Sequence, residues 1–358
     1  MYWLSEPILY LGYSVLAGIA VLSLVPSSQK PKLSLPSWLG PAAAGVVMIG
    51  SFVPVLQIIM FFKDDIGLYA SFEAVMFSFS EGERYTWILI LSLLMAVTSR
   101  RVIKNPQSRL RGVLLLLLLA TAAAMSAFNH AASLMGWKGQ AGYFIHFTAM
   151  AIWTGTLLIA GFYNKGREGW SSYLRWFHPL AVTAVLLVIS SGLFLMSAVT
   201  PQPVQSWILP YGQALLLKHI LILPVLVFGL VNGRWVRQRL ERSSSFAPAS
   251  WAKAEGVLLF LIYVVTGFLN QQGAPHAYPE VLTSSFAAKP FLWFHPEFTE
   301  GPIMLEWSFT GTLLLLLAAG MLAGMLWSFI KHKKAVTALL LSLGAAAAAY
   351  AGIMFSVA

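Results

Sequence analysis

The sequence predicts an all-α membrane protein, a polytopic bundle of about ten transmembrane helices with both termini outside. Three observations predict it. Ten hydrophobic stretches follow one another along the 358 residues. Apolar residues make up 58% of the chain and charged residues 10%, with a mean hydropathy of +0.74, so lipid rather than water must be the solvent. The joints between stretches alternate without exception between strongly basic and acid-rich or nearly uncharged. Lys and Arg in short loops stay on the cytoplasmic side, so the basic joints lie inside.

The stretches are 7–25, 38–62, 85–99, 110–131, 140–163, 172–199, 211–235, 253–270, 305–330 and 335–356. A spanning helix needs about 20 apolar residues, so the third is expected to begin earlier, near Glu81. The basic joints carry Lys30 and Lys32; then Arg100, Arg101, Lys104, Arg109 and Arg111; then Lys165, Arg167 and Arg175; then Arg234, Arg237, Arg239, Arg242 and Lys253; then Lys331, Lys333 and Lys334. The alternate joints hold Asp64, Asp65, Glu73, Glu81 and Glu83, or Glu280, Glu297, Glu300 and Glu306. Pro26, Pro31 and Pro36, then Pro106, then Pro201, Pro203 and Pro210 punctuate joints. Pro54 and Pro224 fall inside stretches, where neighbouring helices satisfy the freed carbonyls. The outside segments 63–84 and 271–304 are longer than a turn requires and rich in aromatics, as suits either an interfacial belt or a folded-back lid. Three segments organise the chain: 1–109, a core at 110–270, and 271–358.

Several function classes fall away. The net charge of +10 is the arithmetic of the inside joints and is no nucleic-acid footprint. There is no Cys, so no disulfide, thiolate metal site or catalytic thiol. Met1 to Glu6 lacks the basic region and cleavage site of a secretory signal, so the first helix is expected to stay. No catalytic triad, paired carboxylates or phosphate loop is present, and an enzyme is not expected.

Ionisable groups at membrane depth mark function. Of the seven histidines, His332 lies among inside lysines, His178 near an inner helix end, and His276 and His295 in an outside segment. His130, at the outer end of the fourth stretch, His146 in the fifth and His219 in the seventh share a side of the membrane. The last two lie about 9 to 12 Å below the outer surface. Met150 follows His146 by four residues on one helix face, and Met125 sits below His130. Imidazole with thioether, without thiolate or carboxylate, is the soft donor set that suits copper, especially Cu(I). Lys218 is a mid-helix lysine without an acidic partner at its depth; about 100° separates it from His219, so the two face different ways.

At these residues the sequence resembles the CopD family of copper-resistance membrane proteins. A His-Ala-Ala element closing one helix is matched by Asn129-His130-Ala131-Ala132, and a His followed by Ala-x-x-Trp-x-Gly by His146 to Gly155. Arg175-Trp176-Phe177 precedes Ser190-Ser191-Gly192, and Tyr211-Gly212, Leu215-Leu216 and Lys218 run to Asn232-Gly233-Arg234. The resemblance implies copper handling at the cytoplasmic membrane, as uptake, with soluble extracytoplasmic copper carriers as partners. His219 stands where the family commonly has an apolar residue, so its role as a ligand rests on depth. The expected site is His130, His146 and Met150, with Met125 or His219 completing it. Two other readings stay open: a b-type cytochrome with haem between facing histidines, and a factor that delivers copper without transporting it.

Overall fold

The computed structural model describes residues 2–127, 130–242, 246–279, 281–331 and 334–358, and for Tyr2, His130 and Arg234 only the backbone. The chain forms two compact units, Met1–Ala198 and Val199–Ala358, which divide it inside the 110–270 segment. Among the described residues nine helices are long and apolar enough to cross a membrane, and Leu110–Ser126 is a shorter apolar one. Helix is the only spanning form open to these stretches, because lipid offers backbone groups no partner.

The first unit contains α1 (Ser5–Leu24), α2 (Leu39–Ile66), α3 (Leu68–Ser78), α4 (Ser80–Lys104), α5 (Leu110–Ser126), α6 (His130–Met135), α7 (Trp137–Tyr163) and α8 (Trp170–Val199, all but its last residue). Helix α1 lies at its centre, packed against α2, α5 and α7, with Tyr13, Leu16, Ile19 and Leu22 almost wholly buried. Gly18 and Gly155 bring α1 and α7 into backbone contact, since a Cβ on either would overlap the opposing chain. Small residues set such approaches in lipid, where no hydrophobic drive separates helix from tail.

The third stretch does begin early, at Ser80. The fourth is corrected. It does not run as one helix over 110–131; α5 ends at Ser126 with Ala127 as its cap, and His130–Met135 is described as a separate helix. Local contacts favour the break. Gln140 Nε2 donates to the carbonyl of Ala127 at 3.3 Å, a group that a continuing helix would have occupied. Gly139 lets Ala131 approach so closely that any Cβ there would strike its carbonyl. His130 therefore belongs to a short connecting helix and not to the end of a span. Segment 63–84 is also helical. Val75 of α3 packs into a cluster with Val55 and Ile59 of α2, while Tyr69 and Phe77 stay exposed, as a helix at the membrane interface would place them.

The second unit contains α9 (Pro203–Ser206), α10 (Pro210–Leu230), a π-helical turn (Val231–Trp235), α11 (Val236–Arg242), α12 (Pro248–Asn270), α13 (Lys289–Phe294), α14 (Phe309–Ile330) and α15 (Ala335–Met354). Segment 271–308 folds back over one end. Ala288 N donates to Ile208 O at 2.7 Å, and Gln205 holds Ile303 through both its amide oxygen and nitrogen. His295 Nε2 donates to the carbonyl of Met354 at 3.1 Å, and burial holds this imidazole below its usual pKa.

Parity of the joints is consistent with the charge alternation. In the first unit two basic joints meet: Leu33 pairs with Asn164, Lys165 N donates to Lys32 O, and Lys32 contacts Glu168 at 2.5 Å. Hydrogen bonding from Lys32 and its charge hold the Glu168 carboxyl below its usual range; the pair is exposed and stabilises little. In the second unit the 199–209 joint, segment 271–308 and the C-terminal residues share one end, where Met304 pairs with Ala358. At the other end Arg239 of one basic joint donates to Phe329 O, beside the next.

Candidate metal centre

Helix α7 carries the candidate donors His146 and Met150. Its Tyr143, His146 and Met150 recur at three- and four-residue intervals, so they form one stripe down the helix. His146 is the tenth residue of α7, about 14 Å along it at 1.5 Å per residue. The imidazole is half-buried, and Met150 one turn further is 7% exposed.

The partner of His146 is Ser191 on α8, with Nδ1 and Oγ 3.1 Å apart. A hydroxyl has one hydrogen to give. Ser191 directs it to the carbonyl of Leu187, four residues back at 2.5 Å. The serine oxygen must then accept, so His146 Nδ1 carries the hydrogen and donates it. That tautomer carries its lone pair on Nε2, the form of imidazole that binds a metal. Gly192 makes room for this arrangement: a Cβ there would lie 3.2 Å from His146 Cε1. The Ser190-Ser191-Gly192 element of the sequence thus seats and orients the histidine.

The other expected donors are placed less closely. Met125 is half-buried near the end of α5, a helix that packs on α7. The side chain of His130, like the whole of Asn129, lies outside the described residues. Lys218 and His219 sit in the second unit on α10, as its ninth and tenth residues. They do face different ways. His219 is exposed, with Nδ1 donating to Leu215 O at 2.7 Å, whereas Lys218 is half-buried and makes no hydrogen bond or ion pair among the described residues. No group of three or more His, Asp or Glu suited to a metal ion occurs among the described residues.

Two polar groupings were not anticipated from sequence. On the first unit, Tyr10 OH donates to Glu6 Oε2 at 2.7 Å, and Tyr143, one turn from His146, stacks on the Phe147 ring that Tyr10 meets edge-on. On the second, Asn232 in the π-helical turn donates to Glu255 Oε2 at 2.6 Å, with both residues almost wholly buried and Asn232 Oδ1 without a partner among the described residues. A carboxylate seven residues into an apolar helix was the available signal for Glu255. For Glu6 there was only its place at the mouth of the first stretch.

A family model described as Copper resistance protein D matches residues 171–269. The matched segment includes Arg175-Trp176-Phe177, the Ser191-Gly192 seat and the run from Tyr211 to Arg234; the elements at Asn129 and His146 precede it. No curated protein and no solved structure matches the chain. The chain is a multi-pass helical membrane protein whose residues 171–269, from α8 to α12, match the model of the Copper resistance protein D family.

Proposed function

We propose that this protein moves copper across the cytoplasmic membrane, as uptake, through an outward-facing site built around His146 and Met150. His130 and Met125 stand beside them in the sequence reading, and His219 is a further candidate on the other unit. The observation that supports the reading is the Ser191–His146 hydrogen bond, which holds the imidazole one turn above a buried thioether in the tautomer with its lone pair on Nε2. Imidazole and thioether together favour Cu(I), and the copper-resistance family of residues 171–269 supports the same cargo. A soluble extracytoplasmic copper-binding protein is the corresponding donor.

Purified protein should bind copper stoichiometrically, show no Soret band, and load vesicles with copper when reconstituted. A Soret band overturns the proposal in favour of haem. Copper binding without vesicle loading overturns transport in favour of delivery.

Orientation is tested separately. Gln107, exposed in a basic joint, and Ser284, exposed in segment 271–308, are suitable single cysteine sites in this cysteine-free chain. In intact cells Gln107→Cys should be shielded from an impermeant thiol reagent and Ser284→Cys should react. The reverse pattern would place both termini inside.

A further inference from the structure

Three oxygens meet at the mouth of the His146 stripe. Glu6 is the second residue of α1, half-buried, and Tyr143 lies in the second turn of α7. Tyr10 OH donates to Glu6 Oε2 at 2.7 Å, and Tyr10 and Tyr143, whose rings both pack on Phe147, lie close enough for their hydroxyls to interact. The Glu6 carboxylate and the two phenols thus form one oxygen-rich group, with Tyr10 bonded to the carboxylate. Side chains on a helix lean toward its N-terminus, which turns Tyr143 toward Glu6 and away from the membrane centre. Below it on the same stripe come His146 and Met150. Arg84, at the start of α4, is close enough to act on Tyr143 electrostatically.

From this arrangement we propose that Glu6, with the phenols of Tyr10 and Tyr143, is a capture site where a copper cation lands before passing one helical turn inward to His146. The proposal rests on the copper-transport reading and adds a first station to it. Carboxylate and phenol oxygens are hard donors that hold a partly hydrated cation loosely, whereas imidazole and thioether hold it once its water is shed. A loose outer station followed by a tighter inner one raises the rate of capture without trapping the ion. Arg84 opposes the arriving charge, so the two residues tune capture in opposite directions.

The test is copper uptake into vesicles against copper concentration, at low and high salt. Glu6→Gln keeps the shape and removes the charge; it should raise KM about tenfold at low salt, leave kcat unchanged, and approach the parent as salt screens the field. Arg84→Gln should lower KM. Glu73→Gln, at an exposed acid on α3, should change nothing. The capture site is overturned if Glu6→Gln lowers kcat with KM unchanged, if its KM equals the parent's, or if Glu73→Gln raises KM as much as Glu6→Gln does. A parent protein that loads no copper overturns the transport reading itself, a result distinguishable from all of these.

Discussion

Replacing Gly155 by valine should abolish most of the folded protein. A Cβ at Gly155 would coincide with the carbonyl oxygen of Ser14 and stand 2.8 Å from Gly18 N. Backbone cannot rotate aside as a flexible side chain can, so α1 and α7 must separate. Helix α1 is also packed on α2 and α5, and any shift away from α7 drives it into them. Tyr13 would be pulled from Leu118 O, which it now reaches at 2.7 Å, and Leu16 and Ile19 would lose contacts made at nearly zero exposure. Overpacking of a well-filled core costs about 1–3 kcal/mol and sometimes more, and a clash of main chain with main chain belongs at the upper end. Gly155→Ala should show a smaller loss of the same sign. Gly45→Ala, where a Cβ meets nothing within 4 Å, should be as stable as the parent. Size-exclusion yield and thermal unfolding in detergent measure this, and a Gly155→Val protein of parental stability would show that α1 and α7 do not pack as described. Gly155 closes the His-to-Gly element of the sequence, so that element joins a ligand at one end to a packing residue at the other.

How much of this could be read from the sequence follows from what lipid demands. The spans were legible because only helices satisfy their own backbone in a bilayer, and apolar length then marks each one. The different directions of Lys218 and His219 were legible for the same reason, since helical rotation fixes them without tertiary information. The break between α5 and α6 was not. It depends on Gln140 reaching Ala127 and on Gly139 admitting Ala131, contacts between segments that look equally apolar in a hydropathy scan. The seat of His146 was half legible: histidine depth and the Met150 spacing lie on one helix, but Ser191 is 45 residues away on another. Glu6 escaped notice because a single acid beside a terminus is ordinary. It acquires meaning only when packing brings α1 and α7 together, with the phenol of Tyr10 bonded to it and Tyr143 nearby.

Removal of the His146 imidazole should have the largest effect on copper. Water replaces a lost nitrogen ligand poorly, so His146→Ala should weaken copper affinity by at least about 10- to 100-fold, the range in which outer-shell losses already operate. Ser191→Ala provides the discriminating comparison. It leaves the imidazole but removes the acceptor that fixes Nδ1–H, so the ring can turn or exchange tautomers and Nε2 presents its lone pair only part of the time. Its loss should have the same sign and be smaller, about tenfold. Gly192→Ala should weaken binding as well, because its new methyl presses on His146 Cε1 from 3.2 Å. All three variants keep the α1–α7 contact, so folded yield should stay near the parent and the affinity change can be read directly. Competition with a Cu(I) chelator supplies the constants. Adding His130→Ala to His146→Ala should remove what copper binding remains. A double variant with unchanged stoichiometry and affinity would place the metal elsewhere, while a large loss in His146→Ala with none in Ser191→Ala would keep the ligand and discard the tautomer argument.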